Sequence, residues 1–247
     1  MKTKADFFRW AEEGMSREEE HIIVYQDQGV AQAWCHYFVV EEAQQLGLCS
    51  FVFSEENLHM LRTWIDYLTA RYPAYEFRLY FPKENRSAHR FLSESYPCID
   101  QSFVDVLSLN NTVDSLLSEK IVPITEENVS LFAQLLGKVP ETGWDIEQFR
   151  GQLDRWSIFV AVEAGVAIEV VFTSQKNEQI HEIFGLISLE ESLSVTIKEA
   201  LLQASIQAAK DKHADFLYFF TDQEDHLLTQ QLGFSTLTEA TCYKMVF

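Results

Sequence analysis

The stretch SLEESLSVTIKEALL, residues 188–202, runs from the end of an apolar, strand-like segment into a helix. Leu193, Ile197, Leu201 and then Ala204 recur at helical spacing, so a helix is predicted from about residue 193 to residue 210. A helix start behind a strand is a common anion site in α/β chains, because its first backbone N–H groups lack partners. Here that place carries two adjacent carboxylates, Glu190 and Glu191. Ser188 followed three positions later by Glu191 fits a capping box, and both glutamates complement the positive end of the helix dipole. The sequence therefore describes a helix start satisfied by its own side chains.

The same succession of elements stands on both sides of a polar stretch. In the first half FVFSEEN (51–57) precedes an amphipathic helix carrying Leu58, Leu61, Trp64, Ile65 and Leu68, with Pro73 beyond its end. The strand EFRLYF and the helix NRSAHRFLSES follow. In the second half LISLEES precedes the helix, and the strand DFLYFF and the helix DQEDHLLTQQL come next. A double glutamate at the helix start and a Leu-Tyr-Phe strand recur, at Leu79–Tyr80–Phe81 and Leu217–Tyr218–Phe219, as an internal duplication would leave them.

Around these cores lie HIIVYQ and VAQAWCHYFVV, paired about a turn at Asp27-Gln28-Gly29, and a short helix over residues 5–13. The second half opens with the strand IVPI and the helices ENVSLFAQLLGKV and DIEQFRGQL. WSIFVAVEAGVAIEVVF then folds about Gly165, and IHEIFGLIS and the closing GFSTLTEATCYKMVF are strands. The expected organisation is a first domain over 1–110, a linker over 111–120 and a second domain over 121–247.

The chain has 247 residues, 47% of them hydrophobic, which is ample for folded cores. Its net charge of −19 repels nucleic-acid phosphates and anionic membranes, so neither is an expected partner, while a small molecule remains open. The opening MKTKADFFRWAEEG has no apolar run behind its basic residues, and no stretch reaches membrane-spanning length. A cytoplasmic protein is expected. The cysteines, at 35, 49, 98 and 242, form no CxxC pair, and Cys35, Cys49 and Cys242 read as buried, reduced thiols. The seven histidines show no i, i+4 pairing, so no metal site is expected. Walker, GxGxxG, GxSxG and HExxH motifs are absent.

With ENRSAHRF (Asn85, Ala88, Phe91), with Gly233-Phe234 after the last helix, and with this order of strands and helices, the chain resembles the GNAT superfamily of acyl-CoA N-acyltransferases. The resemblance implies a mixed α/β sheet built as two GNAT-like units in tandem, the first lacking its opening strand and helix pair. It implies acetyl-CoA or CoA as cofactor and acetyl transfer to an amine as the activity. The family's cofactor segment, a glycine-bearing helix start, falls on Val195, Thr196, Ile197 and Lys198, with Asn85 the matching position of the other motif. In the first half the segment falls on residues 60–63, with Arg62 as its basic residue.

Neither segment contains glycine, where the family's pyrophosphate must approach backbone N–H groups without a Cβ in the way. The family's acidic tyrosine falls on Leu92 and Thr229, neither of which protonates a thiolate well. Glu182 is the candidate general base, acting through water; a solvent-facing strand position is the plainer reading for it and for His181, and His226 on the last helix is weighed in the same way. The expectation is an acetyltransferase-like protein with a degenerate acyl-CoA site, or alternatively a non-catalytic binding module on the same fold.

Overall fold

The computed structural model describes residues 20–27, 30–41, 44–52, 58–111, 120–136, 146–176, 178–188 and 195–246. The short helix expected over 5–13, the Gln28-Gly29 turn, most of the 111–120 linker and the Glu190-Glu191 pair lie outside these residues. Contacts divide the chain into two compact units. Unit 1 comprises Met1–Gln101 and Ala240–Phe247, and unit 2 comprises Ser102–Glu239. The dividing lines fall within two strands, at residues 101/102 and 239/240.

In unit 1, β1 (Glu20–Asp27), β2 (Val30–Val40) and β3 (Gln45–Val52) form an antiparallel meander. Helix α1 (Leu58–Arg71) crosses to β4 (Glu76–Pro82), which lies parallel to β3. Met60, Leu61, Trp64, Ile65 and Leu68 bury one face of α1 against Phe77, Leu79 and Phe81, the alternate residues of β4. Two periodicities, near 3.6 and 2, meet in one core. Helix α2 (Arg86–Ser93) starts under a cap in which the Asn85 side chain accepts the Ala88 N–H, and it buries Ala88 and Leu92. The last strand of this unit comes from the far end of the chain: Ala240–Val246 of β11 (Ser235–Val246) pairs antiparallel with β4.

In unit 2, β6 (Ile121–Pro123), β7 (Trp156–Glu163), β8 (Val166–Gln175) and β9 (Ile180–Ser188) pair antiparallel in that order. The hairpin between β7 and β8 turns at Ala164 and Gly165, both at positive φ, as a tight two-residue hairpin requires. Helices α3 (Val129–Leu136) and α4 (Ile146–Arg150) pack Phe132, Leu135 and Phe149 against Val160, Val170 and Phe172.

Helix α5 (Val195–Asp211) packs Leu201, Leu202 and Ala209 into a second cluster with Leu217 and Phe219 of β10 (Phe216–Thr221). Strand β10 runs parallel to β9 on one side. On the other side it pairs antiparallel with Phe103–Ser108 of β5 (Cys98–Ser108). Helix α6 (Gln223–Gln231) begins at Asp222, whose side chain accepts the Asp225 N–H. It ends at Gly233, whose positive φ lets Phe234 N–H return to the Thr229 carbonyl.

Each unit is therefore completed by a strand that follows the helix of the other half in sequence: β5 follows α2 but pairs with β10, and β11 follows α6 but pairs with β4. No helix among the described residues is long and apolar enough to cross a membrane.

A strand wedge and its carboxylates: the candidate functional site

The parallel ladder between β9 and β10 has four rungs, from Ile180↔Phe216 to Ile183↔Phe219. Beyond it the two strands part. Residues 185–188 of β9 stay paired with β8, while Phe220 and Thr221 of β10 stay paired with β5. A bulge helps to produce the divergence. Phe172 faces Gly185 and Thr173 faces Ile183, so Phe184 is an extra residue on β9, which sharpens the local twist. Gly185 permits this packing: a Cβ there would lie 2.5 Å from the Phe172 ring. Phe184 and Phe220, the first residues past the last rung, are exposed.

Unit 1 repeats the arrangement. Its β3–β4 ladder ends at Gly47↔Arg78, and Cys49 is the extra residue between the pairs Tyr37↔Leu48 and His36↔Ser50.

Glu182 sits on β9 within the ladder and is buried, where a solvent-facing position was the plainer sequence reading. The β8–β9 hairpin explains the difference. It folds Lys176 back so that its Nζ lies 2.5 Å from Glu182 and above the Phe184 ring. His181, weighed in the same way, is also buried. Burial, and then the charge of Lys212, push its imidazole down to about 4, which keeps it neutral.

The expected cofactor segment opens α5. Val195 is 57% exposed, Thr196 is exposed, and Ile197 packs against the core of unit 2. Lys198 is not a solvated lysine: its ammonium donates to Glu224 at 3.0 Å and Asp225 at 3.1 Å, both in the first turn of α6. Burial disfavours its charge, but these two carboxylates outweigh burial and raise its pKa.

Glu169 of β8 is fully buried and its Oε1 accepts the Ser188 hydroxyl at 2.5 Å. Ser188, expected to cap the helix, is thus the last residue of β9 and turned to a carboxylate. Burial raises the pKa of Glu169; Ser188 and Lys198 oppose that shift, and Asp225 and Glu224 add to it. Asp225 is raised too, first by burial and against the pull of Lys198.

In unit 1 the corresponding segment serves packing. Met60 and Leu61 are core residues, Arg62 lies over the Phe91 ring, and the Thr63 hydroxyl bonds back to the His59 carbonyl. Asn85 is the α2 cap, and Leu92 is buried in the core.

Sequence reading missed Asp105, which is wholly buried on β5. Its carboxylate accepts from the hydroxyls of Thr221 (2.9 Å), Thr229 (2.6 Å) and Thr236 (3.1 Å), from His226 Nδ1 (2.9 Å) and from Gln230 (3.4 Å). The His226 ring stacks on Phe103 with centroids 4.0 Å apart. The hydroxyl at the family's tyrosine position, Thr229, is therefore engaged in holding α6 to β5. The one available signal was a lone aspartate inside the apolar strand SFVDVLSL. Cys35 and Cys242 are buried as expected, the Cys242 thiol pushed up to about 11 by burial, while Cys98 is exposed. The Cys49 side chain lies outside the described residues. Among the described residues no cluster suits a metal ion.

As a cradle for an acyl-CoA pyrophosphate the α5 start fits poorly. Its one lysine is held by two carboxylates, so the local charge has the same sign as the phosphates.

No protein-family model matches the chain, and no curated protein matches it. Solved structures do. A GCN5-related N-acetyltransferase from Kribbella flavida is similar over 99% of this chain and 96% of its own, with a TM-score of 0.68 at 12% identity. N-myristoyltransferase from Saccharomyces cerevisiae, with bound myristoyl-CoA, is similar over 97% of this chain and 73% of its own (TM-score 0.63, 10% identity). A tandem GNAT protein from the clavulanic acid biosynthesis pathway is similar over 93% of this chain and 84% of its own (TM-score 0.63, 8% identity). The chain has the mixed α/β GNAT fold. At these identities the likeness reaches the fold and stops there.

Proposed function

We propose that this is an acetyltransferase-like protein in which two GNAT-like units stand in tandem, the acyl-CoA site of each being degenerate. Any remaining activity is acetyl transfer from acetyl-CoA to an amine in unit 2. The observation that carries the reading is Lys198, the one basic side chain at the cofactor segment of unit 2, tied to Glu224 and Asp225. The partner proposed is a small molecule, and the compartment the cytoplasm, in keeping with the net charge of −19 and the absence of a basic run.

The test is thermal and calorimetric titration of the full chain with acetyl-CoA and with free CoA. A ligand at a hundred times its Kd stabilises a protein by about 2.7 kcal/mol. The degenerate reading expects no saturable response up to millimolar concentration, and a saturable one overturns it.

A second reading, a working acetyltransferase, is favoured by one feature: the β9–β10 ladder ends at Ile183↔Phe219 and the strands part beyond it, the open gap that keeps catalysis on this fold possible. The same titration decides between the two.

A further inference from the structure

Strand register sets a row of side chains across one face of the sheet of unit 2. Ser174 of β8 pairs with Glu182 of β9, and Glu182 pairs with Tyr218 of β10, so the three are lateral neighbours. The opposite face of these strands, carrying Ile183, Leu217 and Phe219, is the one that α5 covers. Ser174 and Glu182 retain only 8% and 9% of their exposure. Among the described residues, Ser174 Oγ has no hydrogen-bond partner. The Lys176 ammonium lies 2.5 Å from Glu182 Oε2, yet that oxygen accepts no well-directed hydrogen bond. Buried polar groups in native structures are hydrogen-bonded with few exceptions, so this adjacent pair calls for a donor.

The surface beside the pair is aromatic. Phe184 and Phe220, the first residues past the last rung, are exposed at 42% and 38%, and Tyr218 meets Phe220 edge-on with centroids 6.1 Å apart. The chain itself shows what this surface accepts. The Lys176 ammonium stands against Glu182 and 5.7 Å from the centre of the Phe184 ring, where carboxylate and ring face both attract a cation.

We infer that this face binds a hydrophobic primary amine, whose ammonium takes the place of Lys176 and donates to Glu182 Oε2 and Ser174 Oγ while its apolar body lies on Phe184, Tyr218 and Phe220. An ammonium carries three donors, enough for both acceptors. A carboxylate ligand would meet Glu182 as a like charge, and a neutral apolar one would leave both buried groups without donors. The Lys176 side chain is 42% exposed, so it can turn to water at little cost. The inference rests on the reading that unit 2 takes a small-molecule partner and names the class of that partner; the cofactor segment plays no part in it.

The experiment titrates 2-phenylethylamine into the full chain at constant ionic strength, followed by calorimetry and thermal shift. Ethylamine, which lacks the apolar body, and 2-phenylethanol, which lacks the charge, are the controls. Saturable binding of 2-phenylethylamine is expected, with each control weaker by about tenfold or more. Glu182→Gln keeps the shape but removes the charge, and should weaken the amine by about tenfold. Phe220→Ala, at an exposed position, should weaken it too. Lys176→Ala removes the resident ammonium and should tighten it. Glu147→Gln, on α4, should change nothing.

No saturable response to the amine overturns the inference. So does 2-phenylethanol binding as tightly as the amine, amine binding indifferent to Glu182→Gln or to Phe220→Ala, or a Lys176→Ala chain that binds no more tightly. Acetyl-CoA titrated in parallel keeps the two readings apart. A saturable response to acetyl-CoA overturns the degenerate-site reading and leaves this inference to the amine, while silence to both ligands overturns this inference alone.

Discussion

His226 Nδ1 lies 2.9 Å from the Asp105 carboxylate, which is wholly buried on a strand more than a hundred positions earlier in the chain. A carboxylate accepts and does not donate, so Nδ1 supplies the proton of this hydrogen bond. Five side chains from β10, α6 and β11 converge on this one residue.

Asp105→Ala leaves the buried Thr221 and Thr229 hydroxyls without their shared carboxylate and should destabilise the protein by about 2–5 kcal/mol, at about 1–3 kcal/mol for each buried group left unsatisfied. Thr229→Val removes only one donor and should cost about 1 kcal/mol. Urea denaturation midpoints of the two variants check the ranking; equal losses would show that Asp105 is not the hub.

Glu169→Gln should stabilise the protein near pH 8. Burial raises the pKa of Glu169 in the fold, so the native carboxyl keeps its proton where the unfolded one has lost it. Such a group diminishes stability as pH rises above its usual value of 4.5. The gain from glutamine should therefore shrink as pH falls toward 4.5, and melting temperatures across that range measure it. A gain that is the same at every pH would point to packing instead.

His181 works in the opposite direction. Its imidazole is pushed down from 6.5 to about 4, chiefly by burial, so the folded state refuses a proton that the unfolded chain accepts. Stability should fall as pH drops from 6.5 toward 4. His181→Gln should flatten that part of the stability profile, which denaturation at a series of pH values would reveal.

Gly185→Ala places a methyl 2.5 Å from the Phe172 ring. That ring is fixed among Phe132, Phe149, Trp156 and Phe184, with centroids 5.8–5.9 Å away, so it has little room to yield. The substitution should cost about 1–3 kcal/mol, read from the denaturation midpoint. An unchanged midpoint would mean that the bulge at Phe184 tolerates a shift of the strand.

Much of the fold was legible from local pattern. Leu61, Trp64, Ile65 and Leu68 marked α1, the alternation in EFRLYF marked β4, and Gly165 and Gly233 marked a hairpin and a helix end, because each signal lies within a few residues. The site was less legible. Glu182 and His181 read as strand residues facing water, since nothing in IHEIFGLIS reports that Lys176 folds back over one and that the core covers the other. Nor did SLEESLSVTIKEALL report that Lys198 meets carboxylates on α6, or that Ser188 turns to Glu169.

The sequence by itself determined the order of helices and strands, the acidic character of the chain, and the lack of glycine at both cofactor segments, since these depend on composition and short-range spacing. The tertiary structure alone decided which strands complete which unit and where the parallel ladders stop. It also decided which carboxylates meet Lys198, His226 and the threonines. The physical reason is distance along the chain: β5 must find β10 and β11 must find β4 across more than a hundred residues, and the charges of a site acquire their meaning only when such strands and helices bring them together.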